Sequence, residues 1–178
     1  VACAELSVVL KDHGRLNDAR TVLQDAIHRS VAHRHHSARL WMALGVVLTS
    51  VGDFKLAGRV YGAGVRMFPL DLMIRVNHAQ AVASSLGDRA ALPLLQKADR
   101  EASKGGDTAL HMRVLMLLVR NYISQDRPND IATTLNRALS MDPRHREARE
   151  MYAKVLEKVR MYDKALVVLR QLREEEPE

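Results

Sequence analysis

Aromatic side chains are scarce in this chain. Two Phe, four Tyr and the single Trp41 make up 4% of 178 residues, so a core has to be assembled from Leu, Val, Ala and Met. Cys3 is alone, which excludes an internal disulfide or a thiolate metal cluster and makes an intracellular compartment the expectation. No apolar run approaches the roughly 20 residues that span a bilayer. The longest, Val114 to Val119, lies between Arg113 and Arg120, so no membrane insertion is expected. A Gly-rich phosphate loop and a His-Glu-x-x-His helix are both missing. Ser, His and Asp are present, but no spacing groups them as a nucleophile with its base. The expectation is a chain that is not an enzyme and uses no cofactor. It begins at Val1 and enters a helical pattern at once, so it reads as an excerpt of a longer protein.

What is present is a folding composition. Hydrophobic residues are 47% and charged residues 27%, a balance that excludes a disordered chain. The net charge of +6 is spread along the sequence, with ten basic against six acidic residues in the first 80 and seventeen against fifteen in the rest. No basic block stands out, so the excess reads first as solubility.

The most informative stretch is Ala38 to Asp71. Trp41, Leu44, Val47 and Leu48 are spaced to share one face of a helix. Gly52-Asp53 breaks that helix and turns the chain. Leu56, Val60, Tyr61 and Val65 then mark one face of a second helix, which Pro69 stops. Gly45, Ala57 and Gly64 are small where helices have to approach closely.

Counting Ala38 as position one, Trp41 is at four, Leu44 at seven, Gly45 at eight, Leu48 at eleven, Gly52 at fifteen, Ala57 at twenty, Tyr61 at twenty-four, Gly64 at twenty-seven and Pro69 at thirty-two. This pattern resembles the tetratricopeptide repeat (TPR), a 34-residue pair of antiparallel helices. The same register covers five stretches, about 1–31, 38–71, 72–105, 112–145 and 146–178. Position twenty reads Ala19, Ala57, Ala91, Ile131 and Ala165, and position twenty-seven reads Ala26, Gly64, Ala98, Ala138 and Leu172. The resemblance implies an all-α fold, a single right-handed α-solenoid of antiparallel helix pairs with first helices lining the concave face.

Several places depart from the pattern. His28 and the run His33-Arg34-His35-His36 have no Cys beside them and no one-face pair within the run, so they read as a solvated connector rather than a metal site. His13-Gly14 marks a turn, with Asn17 as the expected cap of the second helix. His78 occupies position seven, where a large apolar residue is usual, and is expected to be half-buried and hydrogen-bonded. Pro93 makes its helix either start late or bend early. Six extra residues, about Gly106 to His111, precede the fourth repeat, with Asp107 or Thr108 as the cap of a helix that begins a turn early. Pro128 stands at a helix entrance, where proline is tolerated. Met161-Tyr162-Asp163 stands in the fifth repeat where Gly-Asp-Phe stands in the second.

The TPR resemblance also implies a ligand groove on the first helices. Carried onto this sequence, its contact positions select Met42 and Val46, then Val76, Asn77 and Gln80, then Met116 and Arg120, then Lys154. The groove is thus apolar in the middle and basic towards its C-terminal end. Asn77 and Arg120 match the pattern that grips the carboxylate of a chaperone tail, whereas Met42, Val46 and Met116 do not, which argues against that ligand. Methionines suit an adaptable apolar surface. They either line it or pack beneath a neighbouring helix. The functional expectation is a protein–protein interaction scaffold that binds a peptide or amphipathic helix with an acidic end. The alternative is a helical-repeat component of an RNA-processing or RNA-binding complex. Against it, no basic stripe with interleaved aromatics provides a platform for single strands.

Overall fold

A computed structural model describes residues 2–32 and 37–174, so the His33–His36 run lies outside the described residues. Ten helices occupy these residues, with no strand among them: α1 Ala2–Asp12, α2 Leu16–Ala32, α3 Ala38–Val51, α4 Phe54–Met67, α5 Leu72–Leu86, α6 Asp88–Gly105, α7 Thr108–Ser124, α8 Pro128–Met141, α9 Arg146–Lys158 and α10 Tyr162–Glu174. The helices gather into two compact units, Val1–Leu94 and Leu95–Glu178, divided within α6.

In the first unit α1 packs on α2, α2 on α3, α3 on α4 and α4 on α5. The second unit repeats the scheme, α7 on α8, α8 on α9 and α9 on α10. Each helix therefore buries its apolar stripe against its chain neighbours, the one-dimensional logic of a repeat array. Leu44, Leu48, Ala57 and Tyr61 are buried in the second pair, and the same register positions bury Ala19 and Leu23 in the first and Leu118, Ile131 and Leu135 in the fourth.

Gly45 of α3 lies directly beneath the Tyr61 ring of α4. A Cβ built on Gly45 would lie 2.2 Å from Cζ of the Tyr61 ring, so the ring rests directly on the α3 backbone. Gly64 is similarly confined, since its Cβ would come within 3.2 Å of Ile74 on α5 and 3.5 Å of Trp41 on α3. At the register positions of Gly45 and Tyr61, three of the four other repeats carry Ser7 with Leu23, Val119 with Leu135 and Ala153 with Leu169. The largest partner accompanies the absent side chain.

First helices end in a common turn. Position fifteen has a left-handed backbone at Gly14, Gly52, Asp126 and Arg160. In each case the following amide donates to the carbonyl five residues back: Arg15 to Leu10, Asp53 to Leu48, Arg127 to Tyr122 and Met161 to Leu156. This pattern satisfies a carbonyl that the helix end would leave open. The left-handed residue of the last pair is thus Arg160, one residue before Met161-Tyr162-Asp163. The third repeat differs, with α5 running to Leu86 and a positive φ at Gly87 instead.

Helix starts follow the side chains available. The Asp53 carboxylate accepts from the Leu56 amide at 3.0 Å, capping α4. Asp107 does the same for Leu110 at 2.9 Å, so α7 begins at Thr108, a turn ahead of the 34-residue register. Asp71 caps α5, and Pro128 opens α8. Asn17 is a correction. Because α2 already begins at Leu16, Asn17 sits inside the helix, and its carbonyl accepts from the Thr21 hydroxyl. Pro93 does not delay α6, which starts at Asp88 and carries the proline inside.

Two stability outcomes follow from these contacts. Gly45→Ala should destabilise the chain by about 2 kcal/mol, because the buried ring has to move. Adding Tyr61→Leu, which restores the Ala-with-Leu combination of the last pair, should recover most of that loss in a double-mutant cycle read by chemical denaturation. Arg160→Gly should raise stability by about 0.5–1 kcal/mol, since glycine enters the left-handed region without the Cβ penalty. Equal or lower denaturation midpoints for this variant would contradict the assignment.

Candidate functional site

The first-helix contact positions separate into two rows. One row is register position nine: Val8, Val46, Gln80, Arg120 and Lys154. All five are exposed, Val8 by 50% and Val46 by 38%. The other row is position five: Ala4, Met42, Val76, Met116 and Glu150. Here Val76 is fully buried and Met116 only 5% exposed. The expectation that Val76 and Met116 face a ligand is corrected. Position five lies about 40° around the helix from position nine, on the side turned towards packed neighbours, and large apolar residues there are drawn into the core.

Met42 and Asn77 occupy the boundary between the rows. Met42 is partly buried against the core of the first unit, and Asn77 is buried. The Asn77 amide nitrogen reaches the Met42 sulfur at 3.6 Å, so α3 and α5 are joined at the edge of the exposed row. Gln80 lies exposed three residues further along α5.

The opening in the first unit that contains predicted residues is a slot of about 230 Å³ between α1 and α3. Val8, Met42, Ala43 and Val46 give it apolar walls, with Lys11 near the end of α1 and Arg39 near the start of α3. Arg39 approaches Glu5 only at 3.9 Å, and Lys11 lies 3.3 Å from Asp12. Both pairs are largely exposed, so neither neutralises its cation strongly. Val8, Lys11 and Arg39 do not figure in the sequence-derived site. The signal that finds them is the same register applied to the first repeat, which puts Val8 at nine and Lys11 at twelve, and to the second, which puts Arg39 at two.

In the second unit Arg120 donates to Glu147 at 2.6 Å, so this basic position on α7 is paired with α9. Lys154 is exposed on α9. The residues therefore divide, with Met42, Val46, Asn77 and Gln80 in the first unit and Arg120 and Lys154 in the second.

The strongest polar constellation is also in the second unit. Asp99 on α6 accepts from Arg137 on α8 through both oxygens, at 2.8 and 2.9 Å, and meets Nε2 of His111 on α7 at 3.0 Å. Burial alone would raise the Asp99 carboxyl. The hydrogen bonds from Arg137 and then His111 outweigh it and hold the group below its ordinary range. Both carboxylate oxygens are engaged, and the trio ties three helices together. The turn added to α7 carries His111, which is how the six-residue insertion is used. Among the described residues, no three His, Cys, Asp or Glu side chains cluster as a metal would need. No described helix is long and apolar enough to cross a membrane.

No family model matches the sequence, and no curated protein matches it. Solved structures do match. MamA from Desulfovibrio magneticus RS-1 aligns with a TM-score of 0.78 at 16% identity, over 97% of this chain and 92% of that one. Nearly identical TPR-like repeats of a Podosopora anserina kinesin light chain align with a TM-score of 0.81 at 14% identity, over 97% and 92%. PilF from Pseudomonas aeruginosa aligns with a TM-score of 0.80 at 18% identity, over 99% and 76%. At such identities the likeness is one of fold. The chain has the all-α, helix-pair fold of tetratricopeptide repeats.

The Asp99 trio yields a pH dependence. The carboxyl is held below its unfolded value, so it contributes stability that is complete above the ordinary carboxylate range and lost as pH falls through the folded-state value. Asp99→Asn should lower stability at pH 7 by about 2 kcal/mol, since Arg137 and His111 lose a shared, largely buried acceptor. It should also flatten the acid limb of the stability–pH profile, as measured by urea denaturation between about pH 3 and 7. An unchanged acid limb would remove Asp99 as its source.

Proposed function

We propose that this chain is a protein–protein interaction scaffold whose first helices hold a peptide or an amphipathic helix. The observation that carries the reading is the α1/α3 slot, apolar along its walls and cationic at Lys11 and Arg39. An apolar opening with a few placed charges is the usual form of a segment-binding site. Met42 supplies an adaptable wall, since an unbranched thioether can re-pack around different side chains. Val46 and Val8 offer apolar area already exposed, so docking removes it from water without local unfolding. Gln80 continues this surface onto α5, with buried Asn77 fixing Met42 at its edge, and Arg120 and Lys154 are its counterparts in the second unit. A ligand with an acidic end fits the cations. The fold supports the reading because helix pairs in series present such side-by-side first helices, and the neighbours in structure are arrays of this kind.

Because Met116 is buried, a charge placed there would test folding rather than binding. Val8 and Val46 are the informative positions. Wild type and Val8→Glu/Val46→Glu should have the same helical circular dichroism, and the variant should lose at least about tenfold of the protein captured from a nuclease-treated source lysate. Equal capture by both would refute the slot. Capture by wild type only when nuclease is omitted would place a nucleic-acid ligand first, and steep salt dependence would accompany it.

A further inference from the structure

A second, larger cleft of about 840 Å³ runs along the seam of α4 and α5 in the first unit, away from every residue assigned above. Its α4 side carries Lys55, Arg59 and Arg66, and His78 of α5 faces it; no carboxylate lines it. The three cations follow i, i+4, i+11 spacing, which places them on one side of α4 over about 16 Å. Some cations elsewhere in the chain are matched across helices, as in Arg120 with Glu147, Arg137 with Asp99 and Lys158 with Asp126. Lys55, Arg59 and Arg66 take part in no ion pair among the described residues.

Apart from Ser85, the rest of the cleft is mainly apolar, with half-buried Val60 on α4 and, on α5, Leu86 71% exposed above buried Val82. Gly62 lets the two helices close at its base, because a Cβ there would meet Nε2 of His78 at 3.2 Å. His78 is thus half-buried as its sequence position suggests, but no hydrogen bond among the described residues holds its ring. Burial, and then the charge of Arg66, push its pKa below the usual histidine value. The lining also includes Trp41, whose buried indole Nε1–H has no hydrogen-bond partner among the described residues.

We propose that this cleft docks an acidic amphipathic helix of a partner protein, its carboxylates opposite Lys55, Arg59 and Arg66 and its apolar face on Val60 and Leu86. Charge complementarity selects the occupant. Three cations over about 16 Å are too dispersed for one small anion and match acids on successive turns of a helix. An apolar floor without an exposed aromatic platform suits a helix rather than a single-stranded nucleic acid. The surface is distinct from the α1/α3 slot, so the proposal stands or falls separately from it.

Trp41 is the only tryptophan and lines the cleft, so its indole N–H resonance reports on occupancy. The intact chain is titrated with a helical peptide of about 18 residues carrying leucines on one face and glutamates at i, i+4 and i+11 on the other. A matched peptide with lysines for the glutamates and a single-stranded oligonucleotide serve as comparisons. The acidic peptide should shift the indole signal saturably. Arg59→Glu/Arg66→Glu should weaken it by at least about tenfold, while Lys104→Glu/Arg144→Glu, which reverses two exposed cations of the second unit, binds as wild type does. Arg59→Gln/Arg66→Gln, which adds no negative charge, should weaken it to a lesser degree and covers any loss of folding in the reversed variant. Absence of a wild-type shift, or equal binding of the lysine peptide, would overturn the proposal. Oligonucleotide binding that displaces the acidic peptide at lower concentration would overturn it in favour of phosphate recognition.

Discussion

Everything in this chain rests on how closely the second helix of a pair can lie against the first. Side chains set that distance, and at Gly45 there is none, so the Tyr61 ring sits on bare backbone. Interiors pack as densely as organic crystals, so a methyl group cannot be added there without displacement. The small residues at positions twenty and twenty-seven continue the same rule along the seam. Helices α1 and α3 lie side by side, and the α1/α3 slot is the gap their exposed rows leave.

The two units handle charge differently. The second unit spends its acids on cross-helix ties: Asp99 holds α7 and α8, Glu147 holds Arg120, and Asp126 holds Lys158. The first unit leaves Lys55, Arg59 and Arg66 in open positions above an apolar seam. Exposed pairs contribute little to stability, so the contrast matters less for folding than for which surfaces remain electrically uncompensated.

The repeat register was legible because it is written in residue size and spacing. Trp41, Gly45, Gly52, Ala57, Tyr61, Gly64 and Pro69 each constrain the backbone in a way that composition alone shows, and the α3/α4 boundaries follow them within a residue or two. The early start of α7 was legible for the same reason, since Asp107 stands where a cap is needed. Other features were not. A left-handed residue is easily read when it is Gly14 or Gly52 and is hidden when it is Asp126 or Arg160. Asn17 looks like a cap, yet the helix start is set by where the preceding turn closes, at Arg15. Exposure of the first-helix positions was legible at position nine and not at position five. Side chains at a face boundary are claimed by whichever neighbour is larger, and that is a tertiary fact. Asp99, His111 and Arg137 lie on three helices, and no local pattern announces their meeting.

The Gly45–Tyr61 contact also bears on how such a chain can change over generations. The partners sit in the two helices of one pair, and the other pairs hold different combinations at the same positions, Val119 with Leu135 or Ala153 with Leu169. A single helix moved from one pair to another would bring Tyr61 against a valine, or leave Gly45 beneath a leucine with a void. A whole pair moved together keeps its own fit. The heritable module of this architecture is therefore the hairpin of two helices. Duplication and exchange can act on it freely, while recombination breakpoints inside the hairpin, between residues 45 and 61, are selected against by packing alone.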